Sequence, residues 1–297
     1  MKELVVISGK GGTGKTSVVA SFAALADDAV LADCDVDAAD LHLVLEPTVL
    51  HRETFRAGHE ARIRPDDCIG CGACLARCRF DAVMRDGDAA GEAVFTVDPI
   101  ACEGCGVCVE SCPVDAIDFP EKTCGEWFVS DTRHGPMVHA RLGIAEENSG
   151  KLVTIVRRRA QEIAAERGRP LVILDGSPGI GCPVIASVVG ASRVLVVTEP
   201  SLSAVHDLER VIALTSHFNI PTTVCVNKCD INPDMTRHVE TLCTRRALEV
   251  AGTIPYDEAV TAAQLARKSL VEFSNGPAAT EVRRLWTRIE RTLEETT

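Results

Sequence analysis

Eight consecutive residues, Gly9-Lys10-Gly11-Gly12-Thr13-Gly14-Lys15-Thr16, fit the pattern G-x-x-x-x-G-K-S/T. Glycines at this spacing let successive backbone N–H groups converge on phosphate oxygens, and a helix starting at the loop's end adds the positive end of its dipole. Lys15 is then placed to reach the β- and γ-phosphates of a nucleotide and the Thr16 hydroxyl to ligate Mg2+, with Ser17 beside it. A separate stretch, Leu171-Val-Ile-Leu-Asp175 followed by Gly176-Ser-Pro-Gly179, reads as a buried strand that delivers the Asp175 carboxylate towards Mg2+. The glycines after it suit a mobile sensor of the γ-phosphate. A loop with no nucleotide role is the competing reading, and the second motif weighs against it.

Cysteine carries the other chemistry. The run Cys68-x2-Cys71-x2-Cys74-x3-Cys78 returns 34 residues later as Cys102-x2-Cys105-x2-Cys108-x3-Cys112, then Pro113. The repeat is wider than its cysteines: Cys-x-Gly-Cys-Gly-x-Cys-x3-Cys-x2-Asp-Ala reads from both Cys68 and Cys102. Thiolates three apart on a tight loop can hold three corners of an iron–sulfur cubane. Four-cysteine zinc ribbons, the alternative, separate two C-x2-C knuckles by a longer loop.

The double run resembles the two-cluster bacterial ferredoxins. That resemblance implies one 4Fe-4S cluster on Cys68, Cys71, Cys74 and Cys112 and a second on Cys102, Cys105, Cys108 and Cys78, the fourth cysteine of each run serving the other cluster. Gly70, Gly72, Gly104 and Gly106 would let backbone N–H groups approach the sulfides. Arg79 stands where proline usually follows, which touches the surroundings of the second cluster more than its ligation.

Lys10 narrows the class of the phosphate loop. A second lysine near its start resembles the deviant Walker A loop of the MinD/ParA/Mrp and nitrogenase-iron-protein ATPases. The resemblance covers about residues 1–60 and 150–297. It implies that Lys10 crosses a dimer interface to the partner's nucleotide, so that ATP drives homodimerisation. Asp33-Cys34-Asp35 matches the family's Asp-x-Asp. It makes Asp35 the candidate for orienting the attacking water and Asp33 a candidate for a switch or Mg2+ role. Val226-Asn227-Lys228-Cys229-Asp230 is similar to the base-recognition loop, with Asn227 facing adenine. Asp230 also fits the guanine reader of N-K-x-D, but Lys10 belongs to the ATP-using branch. Pro255, in Ile254-Pro255-Tyr256, fits a loop packing on the base. Cys182 stands where the nitrogenase iron protein carries a ligand of an intersubunit cluster, with Cys124 as a weak second candidate.

These residues need rigid elements behind them. Apolar runs without alternation at residues 2–7, 30–32, 171–174, 194–198 and 223–226 suit a mostly parallel sheet covered by helices on both faces. Helices are expected at 15–25, 150–166, 202–217 and 234–250. A last one carries Val282, Leu285, Trp286, Ile289 and Leu293 at helical spacing; it is read as closing the core, with a membrane-surface helix as the alternative. The fold expected is α/β, a P-loop NTPase core (1–60 and 150–297) interrupted by a small ferredoxin-like α+β domain (61–120) and a hairpin connection (121–149) that turns at His134-Gly135. The hairpin segment offers His134, His139, Arg141 and Glu146 with no ligand geometry.

Composition sets the remaining bounds. The 297 residues are 46% hydrophobic and 25% charged, with 31 basic and 43 acidic side chains and a net charge of −12. An acidic chain is a poor partner for nucleic acid or an anionic membrane. No stretch suits a membrane span or an export signal, so its 14 cysteines are expected as thiols in the reducing cytoplasm. The resemblance then implies an ATPase whose Mg·ATP-driven dimer gates electron transfer from its clusters to a redox or regulatory partner. A MinD-like positioning ATPase with a redox-sensing insert and an Mrp-like cluster scaffold remain alternatives.

Overall fold

The computed structural model describes residues 1–86, 93–143 and 149–295. From the N-terminus the chain forms β1 (Lys2–Ser8), α1 (Lys15–Leu25), β2 (Ala29–Asp33), α2 (Leu41–Leu45) and β3 (Thr48–His59). The cysteine-rich stretch adds β4 (Arg62–Ile63), α3 (Ala73–Arg77), β5 (Val83–Asp86), β6 (Val94–Val97), α4 (Val107–Glu110) and β7 (Ile117–Asp118). Then come β8 (Glu121–Thr132), β9 (Gly135–Leu142), α5 (Ser149–Glu166), β10 (Leu171–Pro178), α6 (Cys182–Val188), β11 (Arg193–Thr198) and α7 (Leu202–His217). The chain closes with β12 (Thr222–Asn227), α8 (Pro233–Arg245), β13 (Glu249–Ile254), α9 (Ala259–Leu265), α10 (Leu270–Phe273) and α11 (Pro277–Glu295).

Nine strands form one sheet in the order β13-β12-β11-β1-β10-β2-β9-β8-β3. Every pairing from β13 across to β9 is parallel. β1 lies inside the sheet between β11 and β10, and its Leu4, Val5, Val6 and Ile7 have no exposed surface, as a strand covered on both faces requires. The register sets Asp175 beside both Val6 and Asp33, so two carboxylates and the root of the phosphate loop emerge together at the carboxyl ends of the strands.

On one face Phe22 of α1 packs against Trp286 of α11 with ring centroids 4.9 Å apart. Val282, Leu285, Ile289 and Leu293 are buried with them, so α11 closes the core and has no apolar face left for a membrane. No helix among the described residues is long and apolar enough to cross a membrane. A buried ion pair ties α5 to β1: Arg157 grips both Glu3 oxygens, at 3.1 and 2.6 Å, and also donates to the carbonyls of Ala186 and Val189.

The segment expected to be a connection is instead part of the large sheet. β8 and β9 form a hairpin at Arg133-His134, and β9 pairs parallel with β2 from Leu31 to Asp33. Arg133 fixes the turn by bonding Glu272 with two nitrogens and the carbonyls of Leu45 and Val44. His139 is buried, stacked on Phe128 and hydrogen-bonded to Ser130, and burial pushes its imidazole down to about 4. His134 rests on Glu272 and Arg141 on Glu126. Glu146 lies outside the described residues.

The helix expected over 234–250 is shorter. It ends at Arg245, Ala247 takes a left-handed backbone (φ 53°), and Glu249–Ile254 becomes the edge strand β13. The Leu248 N–H returns to the Cys243 carbonyl and the Ala247 N–H to that of Thr244, closing the helix with a Schellman motif.

Two compact units result. One comprises Met1–Glu53, Glu126–Leu142 and the chain from Ser149 on; the other comprises Thr54–Gly125 with Gly143. The division falls inside β3 and β8, so the second unit begins several residues before the expected boundary at 61. It has a small core of its own, with Ala61, Cys74, Val83, Phe95 and Ile117 buried.

Candidate nucleotide and cluster sites

The phosphate loop borders a cavity of about 450 Å³. Gly11, Gly12, Thr13, Gly14, Lys15, Thr16, Ser17, Asp35, Asn227 and Pro255 line it, as the sequence pattern expects. Gly9 does not. A Cβ there would stand 2.5 Å from the Cβ of Asp207, so this glycine admits the close approach of α7. Lys10 also leaves the cavity, turning to Glu199 at 2.6 Å.

Lys15 is buried at the cavity floor, its Nζ 2.5 Å from Asp175 Oδ1 and 3.3 Å from Asp35 Oδ2. Burial alone would lower its ammonium, but the carboxylates of Asp175 and Asp35 outweigh that and hold it above the ordinary lysine value. Burial raises Asp35 to about 6 against the pull of Lys15. Burial and the neighbouring Asp175 raise Asp33 well above the usual carboxylate range.

The three aspartates are placed differently. Asp33 accepts the backbone N–H of Asp35 on one oxygen and of Leu41 on the other, at 3.1 and 3.2 Å. Its carboxylate therefore braces the loop between β2 and α2, with both oxygens taken by backbone N–H groups where the ligand role expects one free for Mg2+. Asp175 Oδ2 is buried with no hydrogen-bond partner, and so is Thr13 Oγ1. An orphaned hydroxyl on the cavity lining and an orphaned carboxylate oxygen behind Lys15 suit an anion and a hydrated cation, so these residues fit a nucleotide phosphate and Mg2+. Thr16 and Asp175 are the groups that would hold the cation.

At the base end, Asn227 donates to the Thr13 carbonyl at 2.8 Å and accepts from the Lys228 N–H at 2.9 Å, which fixes its amide against the loop. Asp230 accepts the Tyr256 N–H and is not among the residues that line the cavity. Lys228, Tyr256, Val260, Thr261 and Gln264 also line the wall. Gln264 donates to Ser17 Oγ at 3.1 Å. The short helix α9 that brings three of them has no capping motif and only one buried residue, so the sequence carries no signal for it.

In the second unit, one small void is lined by Cys68, Cys71, Cys74 and Cys112, and another by Cys78, Cys102, Cys105 and Cys108. Each set takes three cysteines from one run and the last from the other. Apolar residues fill out both walls, Ile63, Phe95 and Ile117 in one and Val83, Val97 and Phe119 in the other. Among the described residues no three His, Cys, Asp or Glu side chains converge on a point where a single ion would sit. Soft thiolates around an apolar void larger than one ion fit iron–sulfur clusters and fit zinc poorly.

The repeat is equally visible in the backbone. Gly72 and Gly106 cap α3 and α4 in the left-handed region at φ 73° and 75°. Asp81 and Asp115 both adopt φ 52°. Cys112 Sγ accepts the Ala116 N–H, and Cys78 is held below the ordinary thiol value by the N–H groups of Phe80, Ala82 and Val83, which outweigh its burial. The backbone after Arg79 thus keeps the course it has after Pro113.

None of the 14 cysteines forms a disulfide. Cys225 and Cys243 are core residues, and Cys34 is buried between two aspartates with its thiol pushed up by burial and Asp33. Cys182 is exposed, but Cys124 is buried against the Ala57 carbonyl, which leaves it no access to a second subunit.

Residues 61–119 match the family model of the 4Fe-4S dicluster domain. The chain is 33% identical over 300 residues to the uncharacterized protein MJ0578 of Methanocaldococcus jannaschii, an alignment covering 97% of this chain and 96% of that protein. MJ0579 of the same organism is 26% identical over 240 residues, covering 78% and 83%. Solved structures with the same fold include the MinD cell division protein of Aquifex aeolicus (17% identity, TM-score 0.57, 98% of both chains). Another is the septum site-determining protein MinD of Pyrococcus horikoshii in complex with Mg-ADP (13% identity, TM-score 0.58, 100% and 98%). This chain therefore belongs to the family of M. jannaschii MJ0578, and in this chain a MinD-like fold carries a 4Fe-4S dicluster domain.

Proposed function

We propose that this protein hydrolyses Mg·ATP and that ATP-driven homodimerisation through Lys10 gates electron transfer through two 4Fe-4S clusters to a protein partner. The observation that carries the reading is the pairing, in one chain, of a phosphate-loop cavity lined by Lys15 and Asp35, with Asp175 bonded behind Lys15, and two four-cysteine voids. The likeness in fold to a MinD solved with Mg-ADP supports an adenine nucleotide, and the engagement of Asp230 by the Tyr256 N–H disfavours guanine.

Lys15 gives up its two carboxylates for the β- and γ-phosphate oxygens. Thr16 and Asp175 would hold Mg2+, which would neutralise phosphate charge there, and the Asp35 carboxylate, freed from Lys15, accepts a hydrogen bond from the attacking water and orients it. Each cluster, when bound, supplies a one-electron store. Cys71 and Cys105, the exposed ligand in each set, mark where a partner protein would meet it.

Sedimentation and phosphate release in anaerobic Mg·ATP and Mg·ADP test the ATPase half. Wild type should dimerise with Mg·ATP and return to monomer as phosphate is released. Lys10→Ala should bind nucleotide and stay monomeric. A chain that binds ATP without changing its association state would contradict the proposal. Clusters that pass to an apo-protein on mixing would turn it towards a carrier of clusters.

A further inference from the structure

Lys10 is held by a built arrangement. Its Nζ pairs with Glu199 Oε1 at 2.6 Å and donates to Ser201 Oγ and Ser203 Oγ, each at 3.2 Å. The other Glu199 oxygen lies 3.0 Å from Lys228 Nζ, which also donates to the Gly12 carbonyl at 2.9 Å. One carboxylate therefore bridges the first lysine of the phosphate loop and the lysine of the base loop. Glu199 follows directly on β11 and its side chain is only 18% exposed, so its position is set by the sheet. Burial would raise its carboxyl, but the hydrogen bonds from Lys10 and Lys228 outweigh that and keep it ionised at neutral pH.

We infer that Glu199 is a positioning residue that keeps the Lys10 ammonium on its own subunit until a nucleotide-loaded second copy offers phosphate oxygens in its place, and so sets the threshold of ATP-driven dimerisation. The inference rests on the dimerisation reading above. Lys10 cannot serve a second subunit while it is bonded to Glu199 and two serines of its own chain. Both subunits must release it, so the hold counts twice in each dimer. Lys228 lines the nucleotide cavity, so a bound nucleotide meets the other arm of the same carboxylate.

Two readouts separate the hold from its consequence. In the first, nucleotide-free wild type and Glu199→Gln are treated briefly with an amine-acylating ester, and Lys10 modification is read by peptide mass spectrometry. Lys10 should react severalfold faster in Glu199→Gln, and equal rates would overturn the hold. In the second, sedimentation in Mg·ATP should place the monomer–dimer midpoint of Glu199→Gln about fivefold lower in protein concentration than wild type, the modest size expected of two partly exposed ion pairs. The gain should vanish in the Lys10→Ala background. An unchanged or raised midpoint, or a gain that persists without Lys10, would overturn the threshold role. Wild type failing to dimerise, or Lys10→Ala dimerising like wild type, would overturn the dimer reading itself, while the acylation rates would still decide whether Glu199 holds Lys10.

Discussion

Lys15 Nζ and Asp175 Oδ1 lie 2.5 Å apart beneath the phosphate loop, so the cation that the proposed function assigns to phosphate is already neutralising a buried carboxylate. Asp33 and Asp35 crowd the same cation. Removing Lys15 should therefore cost stability as well as binding. Lys15→Ala is expected to lose nucleotide binding by calorimetry and about 3 kcal/mol of folding stability, the scale of an uncompensated buried charge. Adding Asp175→Asn should recover part of the stability and none of the binding. Full stability in the single variant would mean that the carboxylates are not ionised around Lys15.

Asp35 supplies a pH signature. Burial places its carboxyl at about 6, so below that pH the nucleotide-free protein carries a protonated group that cannot orient water by accepting its hydrogen. The kcat/KM for ATP should rise with pH through about 6 and level off above it. Asp35→Asn should be slow across the range and bind ATP tightly. A wild-type profile flat between about pH 5 and about pH 7.5 would exclude Asp35 from the role.

The crossed cysteine sets make an iron-content prediction. Anaerobically purified protein should hold about eight irons per chain. Cys112→Ala should disturb the set of Cys68, Cys71 and Cys74, whereas Cys78→Ala should disturb that of Cys102, Cys105 and Cys108, each read as loss of one of two spectroscopically distinct centres. If each variant instead damages the centre of its own run, the crossed assignment fails. Stoichiometric zinc in place of iron would overturn the clusters altogether.

Glu272 makes a separate claim about stability. Hydrogen bonds from Arg133 hold its carboxyl well below the ordinary range, with further help from Ser269. A depressed carboxyl contributes stability above its unfolded pKa of about 4.3 and loses it as pH falls through that value towards the folded one. Glu272→Gln should cost about 2 kcal/mol at neutral pH, the scale of hydrogen bonds to a charged group. The gap to wild type should shrink as urea unfolding is repeated from about pH 7 down to about pH 3. A gap constant with pH would show that the ion pair is not what Glu272 contributes.

What could be read in advance follows from burial. β1, β2, β10, β11 and β12 are continuous apolar runs because both faces of the sheet are covered, and the motif residues sit at their ends. β3 was illegible because only Phe55 and Ala57 of its twelve residues are buried, so no hydrophobic period marks it. The first two residues of β13, Glu249 and Val250, fall in the expected helix because they continue the polar and apolar spacing of α8, and only the left-handed turn at Ala247 ends that helix. Lys15 follows from residue type and spacing, whereas Asp35 and the crossed cysteine sets follow from the family resemblances that those motifs carry. The bracing role of Asp33 follows from neither, since it depends on where the loop to α2 returns the Leu41 N–H. Glu199 belongs to no motif; its place beside Lys10 comes from β11 lying next to β1 in the sheet.

Nucleotide and clusters are coupled in this reading, and an anaerobic redox titration without nucleotide, with Mg·ADP and with Mg·ATP tests that most directly. Coupling is reciprocal, so a shift in potential equals a change in nucleotide affinity on reduction, about 59 mV for each tenfold for a one-electron couple. Mg·ATP should move at least one centre by tens of millivolts from its Mg·ADP value, with no movement in Lys15→Ala. Potentials that coincide in all three conditions would contradict the coupling.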